Sequence, residues 1–192
     1  MRRRSHFQKR EPFLEYLLAG LRYGRVIDKI PAASKVLDLG CGFDGGLLKK
    51  ISYKIRDGVG LDLSVKEDIG ERNVKLISHD LNKKLPLADQ SFDAVTSLAV
   101  VEHLNNCEGH FSECFRTLKR GGVLLLTTPA PKSKNLLELL ASVNLVSKEE
   151  INDHKRYLSI KELESLARQA GFSSARGEGF QFGFNNFLVA IK

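Results

Sequence analysis

Along residues 12–30 the apolar side chains Phe13, Leu14, Leu17, Leu18, Leu21 and Val26 recur at spacings of three and four, the repeat of one helical face. An entry helix over Pro12–Ile30 is predicted, with Pro31 as its stop. Two kinds of segment then alternate. Lys35–Leu39, Gly58–Asp62, Val74–Ser78, Phe92–Leu98 and Gly122–Thr128 are short runs rich in β-branched residues or leucine, whereas Gly45–Ile55, Cys107–Leu118, Asn135–Val146 and Ile160–Ala170 carry helical periodicity. Strands separated by helices form βαβ units, and these build a parallel sheet covered on both faces. After Gly171, Ser174–Phe182 and Asn186–Ile191 follow with no room for a helix between them. The expected fold is α/β: a doubly wound, mostly parallel seven-stranded sheet with helices on both faces and a C-terminal antiparallel hairpin. One domain is expected over 1–192, divided into a stretch 1–10, an entry helix 11–30 and the main fold 31–192.

Composition narrows this little. The 192 residues include 42% hydrophobic side chains, ordinary for a globular chain and unlike a disordered, collagenous or coiled-coil one. Apolar runs such as Val123–Leu126 fall far short of the roughly 18 residues that span a bilayer, so no membrane span and a cytoplasmic location are expected. Three cysteines without framework spacing read as free thiols. The unusual number is the net charge of +7, from 30 Lys and Arg against 23 Asp and Glu. Five of those cations, Arg2, Arg3, Arg4, Lys9 and Arg10, fall in the first ten residues. Such a tail reads either as attraction to an anionic partner or as a solubility device.

The chemistry concentrates where the first strand meets a glycine-rich loop, Asp38-Leu39-Gly40-Cys41-Gly42-Phe43-Asp44-Gly45-Gly46. Glycines let backbone amides approach a ligand, and in open α/β sheets ligands lie at the carboxyl ends of the strands. Read literally, Gly40 to Gly45 matches the dinucleotide fingerprint, with Asp62 as its ribose-binding acid 22 residues after Gly40. Asp38 argues against that ligand. A carboxylate beside a pyrophosphate in a poorly solvated cleft would repel it, whereas the ammonium and sulfonium of S-adenosylmethionine (SAM) would be attracted.

Five ordered motifs extend the pattern. Val36-Leu37-Asp38-Leu39-Gly40-Cys41-Gly42, Gly58-Val59-Gly60-Leu61-Asp62-Leu63-Ser64, His79-Asp80-Leu81 followed by Leu85–Val95, Val101-Glu102-His103-Leu104 and Leu118–Pro129 together resemble the class I SAM-dependent methyltransferases, in particular the small-molecule branch that includes ubiquinone- and menaquinone-biosynthesis enzymes. The resemblance covers roughly residues 30–192 and implies a Rossmann-like fold with SAM as cofactor. It implies that Asp38 meets the methionine ammonium, that the backbone of Gly40, Cys41 and Gly42 lies against the cofactor, and that Asp62, with Leu63 beside it, holds the ribose hydroxyls. Asp80 would take the adenine amine, Leu81 would meet the ring, and the backbone at Leu98 and Ala99 would close on the methionine portion. Two positions depart from the family pattern. Asp44 stands where a third glycine is usual, which is expected to put Asp44 in the left-handed region that aspartate tolerates, and Arg120 stands where proline is usual.

For the acceptor, Glu102, His103 and His154 are the candidate general bases. A metal is not expected: the E-x-x-E-H cluster of some related enzymes has Ala99 at its first position, and His103, Cys107, His110 and Cys114 span a helix start and a core face. Ser97-Leu98-Ala99-Val100 replaces the motif of base-amine methylation, and no cysteine has the setting of a pyrimidine nucleophile. Nucleic acid is therefore disfavoured as substrate. Leu136, Leu137, Leu139, Leu140, Val143 and Leu145, with Phe180, Phe182, Phe184 and Phe187, suit an apolar or aromatic small molecule, or are ordinary core. The alternatives are an RNA or protein methyltransferase using the basic tail, and a nucleotide-binding protein without methyl transfer.

Overall fold

In a computed structural model, residues 13–66, 68–134 and 155–192 are described. The basic tail, the predicted helix Asn135–Val146 and His154 lie outside them. Helix α1 covers Phe13–Ile27, followed by β1 (Lys35–Leu39), α2 (Gly46–Ile51), β2 (Asp57–Asp62), β3 (Val74–Ser78) and β4 (Phe92–Leu98). A 3-10 turn, Val101–His103, leads to α3 (Cys107–Thr117) and β5 (Leu118–Pro129). Helix α4 (Ile160–Ala170) precedes β6 (Ser174–Phe180) and β7 (Asn185–Ile191). The seven strands lie in the order β3-β2-β1-β4-β5-β7-β6. The first five are parallel, and β7 runs antiparallel to both β5 and β6, as the hairpin pattern predicts.

Alternation along the strands explains the layering. In β1, Val36 faces one core while Leu37 and Leu39 face the other, and in β5 Leu125 opposes Leu124 and Leu126. One face packs against Phe111 and Cys114 of α3 and Leu163 and Ala167 of α4, and the other against Val26 of α1 and Leu47, Leu48 and Ile51 of α2. Burying one such large side chain stabilises by roughly 1.5–3 kcal/mol, against about 0–1 kcal/mol for an exposed ion pair. The two apolar faces, rather than surface charges, hold the sheet between its helices.

Boundaries follow local chemistry. In α4, Ser159 and Glu162 form a reciprocal capping box, and Gly171 ends the helix at φ +105°. The predicted helix Gly45–Ile55 stops at Ile51. A turn there, with Lys54 N–H donating to the Ile51 carbonyl at 2.8 Å, still delivers Ile55 to the core at 6% exposure, so the apolar period outlasts the helix. The strand predicted to begin at Gly122 begins at Leu118, which pairs with Phe92 across a register shift between Phe92 and Ala94. No helix among the described residues is long and apolar enough to cross a membrane.

Strand order reverses at β1, whose neighbours β2 and β4 lead away in opposite directions. A crevice at the C-terminal ends of β1 and β4 follows from that reversal.

Candidate functional site

Asp38 lies at this crevice, 3% exposed. In the parallel register it stands opposite Thr96 of β4, whose Oγ1 donates to Asp38 Oδ1 at 2.6 Å. Burial pushes the Asp38 carboxyl up from 3.8 to about 7, against the Thr96 hydrogen bond and with help from the Asp62 charge. A buried carboxyl with a single neutral donor is poorly compensated as an anion. A nearby positive charge would favour its ionised form.

The loop after β1 turns on left-handed residues. Gly40 (φ +75°), Gly42 (φ +73°) and Gly45 (φ +68°) supply them, and the expectation for Asp44 fails. Its φ is not positive, because Gly45 one position later takes the third left-handed place without a Cβ. Asp44 instead holds Lys49 Nζ at 3.1 Å. A Cβ on Gly40 would overlap Val100 Cγ2, whereas one on Gly42 would meet nothing within 4 Å. Gly40 is thus required by packing, and open space lies beside Gly42. Cys41 turns its thiol inward toward Gly60, where an added Cβ would lie 2.8 Å from Sγ. Burial pushes that thiol well above its usual range, which keeps it protonated.

Asp62 ties the loop to the end of β2. Its Oδ2 accepts from Gly42 N–H at 3.0 Å and its Oδ1 from Leu63 N–H at 2.7 Å, while the Leu63 side chain is 71% exposed. Both oxygens retain lone pairs for further donors. Asp80, after β3, accepts at Oδ1 from Asn82 N–H (3.0 Å) and Nδ2 (3.1 Å), and the Asn82 backbone hydrogen bond leads in holding its carboxyl below the usual range. Leu81 packs against the core on the α3 side of the sheet. Leu98 ends β4, and Ala99 after it adopts φ +56°, with its N–H donating to the Thr127 carbonyl at 2.9 Å. A left-handed residue with a Cβ costs roughly 1–2 kcal/mol, so local strain sits at the mouth of β4.

Of the acceptor-side candidates, Glu102 is 1% exposed. Its Oε2 accepts from Thr128 Oγ1 at 3.0 Å, and its buried Oε1 has no hydrogen-bond partner among the described residues. Burial raises its pKa, with His103 and Arg22 pulling the other way. His103 is half-buried in the same turn, and His154 lies outside the described residues. His110 bonds Ser97 Oγ through Nε2 at 3.0 Å and burial lowers its pKa to about 4, while Cys107 and Cys114 lie in the core.

The four phenylalanines do not form one surface. Phe187 is fully buried beneath the Arg25 guanidinium, 5.6 Å from its ring centre, whereas Phe182 sits in the hairpin turn at 97% exposure. Strand alternation sends one inward, and the turn sends the other outward.

Four residues escaped the motif reading. Thr96 is marked only as a hydroxyl within an apolar strand. Thr128 meets Glu102 from the neighbouring strand. From α1, Arg22 bears on Glu102, and the Tyr23 hydroxyl lies 2.9 Å from where a Cβ on Gly46 would stand. No signal short of the folded chain joins α1 to this crevice.

Comparison with known proteins gives the same direction. A family model described as a methyltransferase domain matches residues 8–175. A probable S-adenosylmethionine-dependent methyltransferase of Mycolicibacterium smegmatis is 31% identical over 149 residues, 73% of this chain and 52% of the relative. A ubiquinone biosynthesis O-methyltransferase of Dinoroseobacter shibae is 28% identical, over 77% of this chain and 63% of that protein. The chain thus spans between half and two thirds of the length of these curated relatives. A solved SAM-dependent methyltransferase from Archaeoglobus fulgidus superposes with a TM-score of 0.72 over 92% of this chain and 94% of that one, at 20% identity, a likeness of fold.

Proposed function

Because the chain belongs to the class I SAM-dependent methyltransferases, we propose that it moves the methyl group of SAM to a small, apolar or aromatic acceptor at the C-terminal ends of β4 and β5. The observation that carries this reading is Asp38: a buried carboxyl, hydrogen-bonded among the described residues only to Thr96, beneath a loop with open space beside Gly42. SAM supplies an electrophilic methyl on a sulfonium, together with an ammonium, two ribose hydroxyls and an adenine amine. Those groups fit acidic and carbonyl acceptors better than a dinucleotide's phosphates would.

In this reading Asp38 holds the ammonium, Asp62 accepts from the ribose hydroxyls, Asp80 uses its second oxygen for the adenine amine, and Leu63 covers the sugar edge. The backbone of Gly40, Cys41 and Gly42 and the left-handed turn at Leu98 and Ala99 shape the wall. Methyl transfer is an in-line displacement that neutralises the sulfonium, so the protein contributes chiefly alignment and exclusion of water. A base is needed only where the acceptor must lose a proton, as a hydroxyl or protonated amine does to become the nucleophile and a carbon acceptor does after the methyl is added. Glu102, His103 and His154 are the candidates to take it.

The relatives named for ubiquinone O-methylation and sterol 24-C-methylation support a small acceptor with a ring and apolar surface. Residues 1–192 are read as one catalytic unit, and the three free, buried cysteines accord with a cytoplasmic setting.

Calorimetric titration tests the reading. SAM binds the wild type, and NAD does not. Asp62→Ala weakens SAM by about 100-fold, from the loss of two charge-assisted hydrogen bonds, while circular dichroism remains that of the folded chain. Binding of NAD without SAM, or unchanged SAM affinity in Asp62→Ala, refutes it.

A further inference from the structure

A second concave region lies at the opposite end of the sheet. At the N-terminal ends of β1, β4 and β5, an open groove of about 390 Å³ is lined by residues that include Ala33, Arg56, Asp93, Lys119, Arg120 and Gly121. That volume lies within the roughly 300–1,000 Å³ of small-ligand sites. None of these residues takes part in the cofactor crevice.

The groove carries three cations against one acid, and the acid is fully engaged. Asp93 Oδ1 holds Lys119 Nζ at 2.7 Å, and its Oδ2 accepts the Lys35 backbone N–H at 2.8 Å. Arg56 meets Asp57 through Nε at 3.1 Å, which leaves both terminal amino groups of its guanidinium without a hydrogen bond among the described residues. Arg120 is exposed and makes no ion pair among them. Crowding by positive charge extends beyond the groove: the Lys192 ammonium is held below its usual range, first by burial and then in part by Arg120 and Arg116, despite the opposing pull of Asp89.

The backbone leaves this charge accessible. Gly121 is left-handed at φ +74°, and an added Cβ there would meet nothing within 4 Å. On the facing turn Ala33 is left-handed at φ +52°, held by donation of its N–H to the Lys54 carbonyl at 2.9 Å. A residue with a Cβ in that conformation is a local cost that the surrounding structure must sustain.

The geometry points to a binding site for a small phosphate-bearing ligand, its phosphoryl group held by the guanidinium groups of Arg56 and Arg120 and its remainder lying along Gly121 and the Pro31–Ser34 turn. Guanidinium forks match phosphate oxygens in pairs, which an ammonium cannot do. The site is independent of the methyltransferase reading, because it uses the other end of the sheet.

The test uses the full chain saturated with S-adenosylhomocysteine, so that the cofactor crevice is not a competing site. Inorganic phosphate and ribose 5-phosphate are each titrated by calorimetry at low ionic strength. The wild type binds ribose 5-phosphate, Arg120→Ala and Arg56→Ala each weaken it about tenfold, and the double variant abolishes it, with S-adenosylhomocysteine affinity and thermal midpoint unchanged. Equal affinity for inorganic phosphate identifies free phosphate as the ligand, and tighter binding of the ester identifies the ester. The proposal is overturned if neither phosphate compound binds the wild type, or if Arg120→Ala binds as the wild type does.

Discussion

At the C-terminal end of the β1–β4 pair Asp38 is buried with one hydroxyl partner among the described residues, whereas at the N-terminal end Asp93, with its side chain 30% exposed, holds both an ammonium and a backbone amide. The same residue type on the same two strands therefore meets opposite fates. Asp93 is compensated by the protein itself and clips β4 to the starts of β1 and β5. Asp38 lacks such compensation, and burial shifts its carboxyl toward neutrality. The proposed function gives that carboxyl a cationic ligand.

The largest effect that would break this comparison is expected at Gly40, because the crevice depends on backbone shape before charge. Gly40→Ala places a Cβ against Val100 in a left-handed conformation and should destabilise the protein by about 2–5 kcal/mol, with SAM binding lost. Chemical denaturation and calorimetry measure both, and a variant as stable as the wild type would show that the loop relaxes freely.

A smaller effect tests the charge at Asp38. Its carboxyl titrates near 7 when folded, above its ordinary 3.8, so the folded state binds the extra proton between those values. Its contribution to stability is therefore fully present below about 4 and is lost as pH rises to about 7, at roughly 1.4 kcal/mol for each pH step of one across that window. SAM affinity should move the other way, rising with pH up to about 7 and levelling above it, with a proton released on binding below that point. Asp38→Asn should remove both dependences. Calorimetry in buffers of different ionisation enthalpy reads the proton, and a pH-independent wild type would contradict the role.

The smallest effect is expected at the other end. Lys119→Ala breaks a partly exposed pair with Asp93 and should cost less than about 1 kcal/mol, with SAM affinity unaltered. A larger loss of SAM affinity than of stability would mean that the two ends communicate.

Much of this contrast was legible in the residues. The strands were readable because alternating and β-branched runs answer to a short period, and Asp38, Asp62 and Asp80 were readable because each lies within two residues of the C-terminal end of a strand. Other features depended on register and packing. Asp44 looked suited to the left-handed turn, but Gly45 takes it. Phe182 and Phe187 suited either an acceptor surface or ordinary core, and they divide: Phe187 is core, while Phe182 is exposed in the turn. The helix pattern through Ile55 survived while the helix itself ended at Ile51.

By itself the sequence determined the order of elements, the glycine loop and the set of acids, since periodicity, backbone freedom and charge are properties of neighbouring residues. Only the tertiary structure decided which acid would be buried, which hydroxyl would meet it, and that Arg56, Lys119 and Arg120 would share one groove. Those outcomes rest on parallel strands bringing distant residues into register, and the cost of burying a charge exists only once the strands have closed around it.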